Sequence, residues 1–323
     1  MTAEQSTPFN RVPLFIALGL SVALVIGTLI GARIVYQRAA LQPVSMSMID
    51  SPEADSPECA RLTDTLPDEL LGHPRAELTE PAPPGAAAWR SNSTTRITIR
   101  CGVSLPLQYT TLSRPTEVDG THWFRVDDAT TGSSLRTWFS VDTSPVVAVT
   151  ADDKSLSGTD HPLAELSGVL GSLPHRNQEA APPPLADLAP GSSDTDCDKL
   201  LLSLPERLAG DTGYARLDDS GIKASGLPTG SAAWIAPGVE PVVLRCGVAD
   251  SPSYEPGVQV QQVNDIAWFE DPRLANGTTA GVWYALGRTT NVAVSMPQTA
   301  GNTAIVVIGD AITRNIPGKT GAQ

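Results

Sequence analysis

RITIRCGV at residues 96–103 and PVVLRCGV at 241–248 are one pattern written twice, and the duplication around them constrains this chain's fold more than any other feature. CARLTDTLP, from Cys59 to Pro67, matches CDKLLLSLP, from Cys197 to Pro205, and each has a glycine (Gly72, Gly210) 13 positions beyond its cysteine. Trp89 and Trp234 each lie 12 positions before the next cysteine, Cys101 and Cys246. Trp123 and Trp268 follow those cysteines by 22, Trp138 and Trp283 by a further 15, and Val-Ala-Val closes both series at 147–149 and 292–294. All six tryptophans and all four cysteines therefore occupy equivalent positions. Units of this length are a tandem domain duplication, since solenoid repeats have periods of roughly 20–50 residues. One segment changes length: Gly72 to Trp89 spans 17 positions and Gly210 to Trp234 spans 24. Its Pro, Gly and Ala content reads as a surface loop.

Within a unit, CARLTDTLPDELLG places Leu62, Leu66 and Leu70 on one helical face, with Pro67 marking a break. ITIRCGV, THWFRV, SLRTWFSV and VVAVTA then read as strands, matched in the second copy by PVVLRCGV, IAWFE, GVWYALG and NVAVSMP. HPLAELSGVLGSL (161–173) and TAIVVIGDAITRNI (303–316) read as closing apolar helices. Helix, four or so strands, helix is the order of an α+β unit, an antiparallel sheet with helices on one face. The two cysteines of each unit are 42 and 49 positions apart, far from the close pairs of zinc or redox sites. Four cysteines allow three connectivities; the duplication makes Cys59–Cys101 and Cys197–Cys246 the economical one. Each bridge would staple the first helix to the first core strand. Free buried thiols are the alternative.

Residues 12–32 run 21 positions without a charge, enough helix to span roughly 30 Å of hydrocarbon. Arg11 precedes the run, and Arg33 and Arg38 follow it. A cleaved signal peptide would have a shorter apolar region and a small-residue cleavage site, so an uncleaved anchor fits better. Gly19, Ala23, Gly27 and Gly31 fall four apart on one face of this helix, a spacing that lets two membrane helices approach closely, although small residues are common in such helices anyway. One arginine before the span against two after it points the body inward by the positive-inside count. The size of the body and its paired cysteines point it outward, and we weight these more. The layout expected is a cytoplasmic tail (1–11), a transmembrane anchor (12–32), a polar stalk (33–58), a first α+β repeat (59–174), a Pro/Ala/Ser linker (175–196), a second repeat (197–317) and a short tail (318–323).

The net charge of −13 comes from 35 acids and 22 bases; removing the first 38 residues (three bases, one acid) leaves 19 bases and 34 acids, or −15. Such a body does not bind nucleic-acid backbone. His73, His122, His161 and His175 all belong to the first unit or the linker, so no metal site or histidine triad is common to both copies. The acids do not persist across the copies either: Glu117 faces Gln262, Asp119 faces Asn264, Asp127 faces Pro272 and Asp142 faces Gly287. No nucleophile elbow, phosphate loop or dinucleotide fingerprint occurs. No catalytic residue, metal ligand set or cofactor is assigned. The repeated Arg100 and Arg245 are expected to snorkel or to pair with an acid at the sheet edge. Trp123-Phe124 and Trp138-Phe139 put one ring on each sheet face: the inward tryptophans read as core, the outward ring row as a docking surface for a partner or an envelope glycan. The Asn-x-Ser/Thr matches at Asn92 and Asn276 are read as chance.

Cys-x2-Leu-x3-Leu-Pro, Ala-Trp, Leu-Arg-Cys-Gly-Val, Trp, and Gly-Arg before Val-Ala-Val together resemble an actinobacterial family of membrane-anchored proteins classed as a domain of unknown function, number 3515. The resemblance runs twice, from Cys59 to about Pro317. It implies one anchor followed by such domains and carries no activity. The second copy fits the pattern better, with Gly287-Arg288 where the first has Asp142-Thr143. At a turn between strands, the Arg288 guanidinium is expected at the surface, as the candidate contact for a partner acid or phosphate. The functional expectation is a non-enzymatic binding or scaffold protein of the bacterial cell envelope, single-pass in the cytoplasmic membrane with its C-terminal body outside. It would serve a membrane-protein or glycan partner, for example as an accessory subunit of a membrane complex. The alternative is an envelope hydrolase or transferase with its site between the two domains.

Overall fold

A computed structural model describes residues 12–40, 43–156, 158–159, 162–192, 195–208, 213–272 and 278–319. Helix α1, Val12–Ala40, is one apolar rod whose stretch Phe15–Val35 is long and apolar enough to cross a membrane, with none of that stretch buried against the rest of the chain.

The first copy opens with α2 (Pro57–Thr65), where the Ser56 hydroxyl accepts from Cys59 N and Pro57 occupies the first turn. Leu66 is extended, as a residue before proline prefers, and ends the helix. Eight antiparallel strands follow: β1 (Glu69–Leu70), β2 (His73–Ala76), β3 (Ala86–Arg90), β4 (Arg96–Cys101), β5 (Thr116–Val118), β6 (Thr121–Asp127), β7 (Arg136–Ser140) and β8 (Val147–Ala151). Their order is β1-β2-β3-β4-β8-β7-β6-β5. The copy ends in a 3-10 turn, Ala164–Leu166, and one turn of helix, α3 (Ser167–Leu170). The closing helix expected over 161–173 is thus much shorter than the sequence reading had it.

The second copy has α4 (Thr195–Ser203), β9 (Ala215–Arg216), α5 (Asp219–Ala224), β10 (Ser231–Ile235), β11 (Val242–Cys246), β12 (Gln261–Val263), β13 (Ile266–Glu270), β14 (Ala280–Ala285), β15 (Val292–Pro297) and α6 (Gln298–Asn315). Its sheet runs β12-β13-β14-β15-β11-β10-β9, the same antiparallel core. Both sheets contain strands beyond the four expected per copy, notably β3 and β10, which carry Trp89 and Trp234.

Each sheet packs its inner face on its helices. Leu62, Trp89, Ile97, Ile99, Trp123, Val149 and Leu166 fill one core, and Leu200, Trp234, Leu244, Trp268, Val294 and Ile308 the other. Trp89 Nε1 donates to Pro67 O at 2.9 Å and Trp234 Nε1 to Pro205 O at 2.8 Å, so each Leu-Pro break supplies the acceptor that a buried indole needs. Disulfides join Cys59 to Cys101 and Cys197 to Cys246, tying each first helix to its central strand. Closing loops of this size stabilises by about 4 kcal/mol on the chain-entropy account.

The repeat begins before its first cysteine. Residues 44–56 and 182–194 are related by the same offset of 138 as the two cysteine helices, Pro52 matching Pro190. Residues 44–56 and 182–192 cross the outer face of their sheets as straps. Arg100 donates to Ser47 O at 2.7 Å; Arg245 donates to Leu185 O, Ala186 O and Leu188 O at 2.9, 3.2 and 2.6 Å, and Ser47 and Leu185 are equivalent positions. Gly102 has φ +81, and a Cβ there would lie 2.3 Å from Ala54 N, so the strap crosses where no side chain fits. In the first copy Arg-Cys-Gly-Val therefore has one job per residue: the arginine clamps the strap, the cysteine bonds the helix, the glycine lets the strap pass and the valine packs; in the second the arginine, cysteine and valine do the same. This corrects two expectations. The arginines serve backbone carbonyls, not acids, and residues 182–192, expected as linker, pack on the second sheet.

Candidate functional site

The outer faces of the two sheets differ. In the first copy β4 alternates buried and part-exposed residues, and Phe124 and Phe139 are half-buried. In the second copy all of β11 is buried, as are Phe269, Val282, Tyr284 and Ala293. They are covered by Leu185 of the strap, by Leu227 and by Leu112 of the first copy. The outward rings Phe269 and Tyr284 of the second copy are thus covered by the chain's own first copy and strap. Thr111 Oγ1 donates to Ser225 O at 2.5 Å and Asp127 N to Gly238 O at 2.7 Å, further fastening the two copies. The longer segment between Gly210 and Trp234 forms α5 and brings Leu227 into this contact, so it is more than a surface loop.

Where the first copy's loop, the strap and the second sheet meet, they leave a cavity of about 340 Å³. Leu107, Gln108 and Thr110 come from the first copy, Ala181 from the residue ahead of the strap, Pro182 to Leu188 from the strap, and Glu240, Pro241, Thr278, Ala280, Val282 and Ser295 from the second copy. Three consecutive prolines, Pro182 to Pro184, form one wall and fix its backbone. The walls are mainly apolar. Glu240, 9% exposed, is the acid set into them, and its Oε1 accepts from Thr279 N at 2.9 Å and Thr279 Oγ1 at 2.8 Å. Ser295 is 2% exposed, and Asp187 is exposed at the rim. Among the described residues the lining holds no histidine, cysteine, lysine or arginine. A second hollow, of about 400 Å³, lies between β12–β14 and the start of α6, beside Glu270, Trp283 and Met296.

The four cysteines stand as the two bridges already described. Gly19, Ala23, Gly27 and Gly31 share a face of α1, and a Cβ on any of the three glycines would meet nothing within 4 Å. Arg288 is a correction. It is 8% exposed, and its guanidinium donates to Asp265 O at 2.8 Å, Ile316 O at 3.3 Å and Thr313 Oγ1 at 3.4 Å. Gly287, at φ +73, turns the chain so that the arginine folds under the last turn of α6 instead of out of the sheet end. It clamps the helix C-terminus, where a cation meets unpaired carbonyls and the negative end of the dipole.

The first copy closes the same corner with the opposite charge. Asp142 Oδ2 accepts from His122 N at 3.0 Å and pairs with His122 Nδ1 at 2.8 Å, while His175 Nδ1 lies 4.0 Å away. Asp142 Oδ1 is buried with no hydrogen bond. His73 is also tied in, with Nδ1 2.5 Å from Ser91 Oγ and Nε2 2.8 Å from Ser155 O. His122 and His175 thus meet at Asp142 while His73 sits elsewhere, and no group of three or more His, Cys, Asp or Glu among the described residues is arranged to hold a metal. His161 lies outside the described residues.

Charge is shifted where the copies meet. Burial raises the Asp127 carboxyl above its ordinary range, against the pull of Arg125 and Arg136. Burial likewise raises the Tyr214 phenol, helped by the charge of Glu240, while the Tyr214 hydroxyl donates to Glu240 O at 2.6 Å. Glu240 aligns with Thr95 of the first copy, so looking for residues kept in both copies passes over it. The one sequence signal at this site is the run Pro182-Pro183-Pro184, which is too stiff for a flexible linker.

One family model, described as a protein of unknown function (DUF3515), matches the chain twice, over residues 18–178 and 172–320. The second match starts ahead of the strap, in keeping with the strap belonging to the repeat. No curated protein and no solved structure matches the chain.

Proposed function

The chain belongs to the DUF3515 family, in tandem duplication, and from that premise we propose that it is a membrane-anchored binding protein of the bacterial cell envelope, its body outside the cytoplasm and its binding site at the junction of the two copies. One observation carries the reading: the cavity of about 340 Å³ exists only through the duplication, since the first copy, the strap and the second sheet each supply a wall. Its size falls within the range of small-molecule sites, and its composition is that of such a site, apolar with few polar groups. A hydrolase or transferase in the same place would need a nucleophile beside a base. Among the described residues the lining offers hydroxyls at Thr110 and Ser295 and contains no histidine or lysine to activate them, which favours binding over chemistry. Two disulfides and an acidic body fit an oxidising compartment, and α1 fits a retained anchor. The partner expected from sequence, a membrane protein or an envelope glycan, would act on or through this junction.

The test is native mass spectrometry of the full chain drawn from its own membranes into nanodiscs. A retained non-covalent mass on the unaltered protein, absent from an Ala280→Phe variant that fills the cavity, is the expected result. A bare chain in both cases would remove the reading's support. Protease added to intact cells should also digest the body.

A further inference from the structure

We propose, resting on that reading, that the junction cavity takes a small molecule with an apolar body and a cationic, amine-type head, the head meeting Glu240. The argument starts from what the carboxylate lacks. Glu240 is 9% exposed, and its Oε1 is taken by the backbone and hydroxyl of Thr279. Among the described residues no hydrogen bond reaches its Oε2, and no lysine, arginine or histidine approaches the carboxylate within 4.0 Å. A carboxylate on a residue this little exposed is stabilised by a paired cation, and the described residues supply none. The second acid of the cavity, Asp187, is exposed, so the charged groups of the lining are both acids among the described residues, and the body as a whole carries −15 by the count above.

The other walls define the rest of the ligand. Leu107, Pro183, Leu185, Ala280 and Val282 present carbon to the cavity, and Ser295, 2% exposed, adds one hydroxyl on the floor of the sheet. A neutral apolar molecule would leave Glu240 unpaired. An anion would be repelled by it. A polar sugar would strand hydroxyls against the proline wall. An alkyl or aryl amine satisfies both parts, its ammonium on Glu240 and its carbon on the prolines and the β14 side chains.

Three probes of matched shape, 4-phenylbutylamine, 4-phenylbutanol and 4-phenylbutanoate, separate the head from the body. Binding is measured calorimetrically to the full chain in nanodiscs, with empty nanodiscs subtracted. The amine should bind at least tenfold more tightly than the alcohol, and the acid more weakly than either. Glu240→Gln keeps an acceptor for Thr279, and should bring the amine to the level of the alcohol while leaving the alcohol unchanged. Ala280→Phe should abolish all binding. The comparison of three probes on the unaltered protein decides the matter even if a variant fails to fold. An alcohol that binds as well as the amine would overturn the cationic head. A retained native mass with no preference for the amine would leave the binding reading standing and sink this inference alone, whereas no retained mass and no probe binding would sink both.

Discussion

A guanidinium out of reach of water needs acceptors for its N–H groups, and among the described residues Arg245 and Arg288 find most of theirs on backbone carbonyls, with Arg288 Nε left unmet. Arg245 uses three from the strap, and Arg288 two from the β12–β13 turn and the end of α6 together with one hydroxyl. Burial lowers the pKa of Arg245, and charge-assisted bonds offset that desolvation. Removing the Arg288 side chain would leave buried carbonyls unmet at about 2 kcal/mol. Arg288→Ala should therefore lower the melting temperature by roughly 4–8 °C, read by calorimetry, and leave the amine affinity unchanged. An unchanged melting temperature would show that the clamp is idle. At this scale the residues kept in both copies were legible, because core tryptophans and bridged cysteines hold their spacing under duplication. Glu240 was not legible, since it stands once and in a turn. The direction of Arg288 was misread because Gly287 alone does not say which way the chain leaves the turn.

The element that matters most is the strap. It carries little regular structure, yet it covers a sheet face and holds the position that a helix layer would take in other two-layer folds. Truncation should separate the two readings of residues 175–196. A fragment of residues 175–323 keeps Leu185 over the outer face and should melt in one sharp transition. A fragment of residues 197–323 exposes Val243, Phe269 and Tyr284, leaves Arg245 without its acceptors, and should melt broadly and bind a hydrophobic dye. Equal, sharp melting of both would restore the plain linker. The difference between the copies was written in the strands: ITIRC alternates, as a strand with one wet face does, whereas VVLRC is nearly continuous, as a strand covered on both faces is. Reading the two as one motif hid that contrast. The helix and strand types came through because their periodicities are strong, while β1, β2 and β9 are too short to leave one.

For the whole molecule, the contact between copies is set by a few close approaches. Gly238 has φ +78, and a Cβ there would lie 2.4 Å from Asp127 Oδ2 and 2.6 Å from Arg125 Nε. Gly238→Val should force the copies apart, turning a single calorimetric transition into two and abolishing binding of 4-phenylbutylamine; one transition with binding intact would show that the junction tolerates the clash. The tandem arrangement was legible in sequence, but the docking was not, because Leu112, Leu185 and Leu227 lie far apart along the chain and none belongs to a periodic pattern. The strap of the first copy is pinned early: Val44 N donates to Glu77 O at 2.8 Å, four residues after α1 ends at Ala40. Four steps of chain reach at most about 15 Å. With α1 as the anchor proposed above, the body is kept on a short leash and samples a thin layer of solvent over the bilayer, not the width of the envelope. Within that layer its encounters become two-dimensional, and its effective concentration toward anything else confined to the same surface rises toward the millimolar range. An amphiphilic amine dissolved in the outer leaflet would then be met by lateral diffusion, so weak intrinsic affinity at the junction would suffice for occupancy.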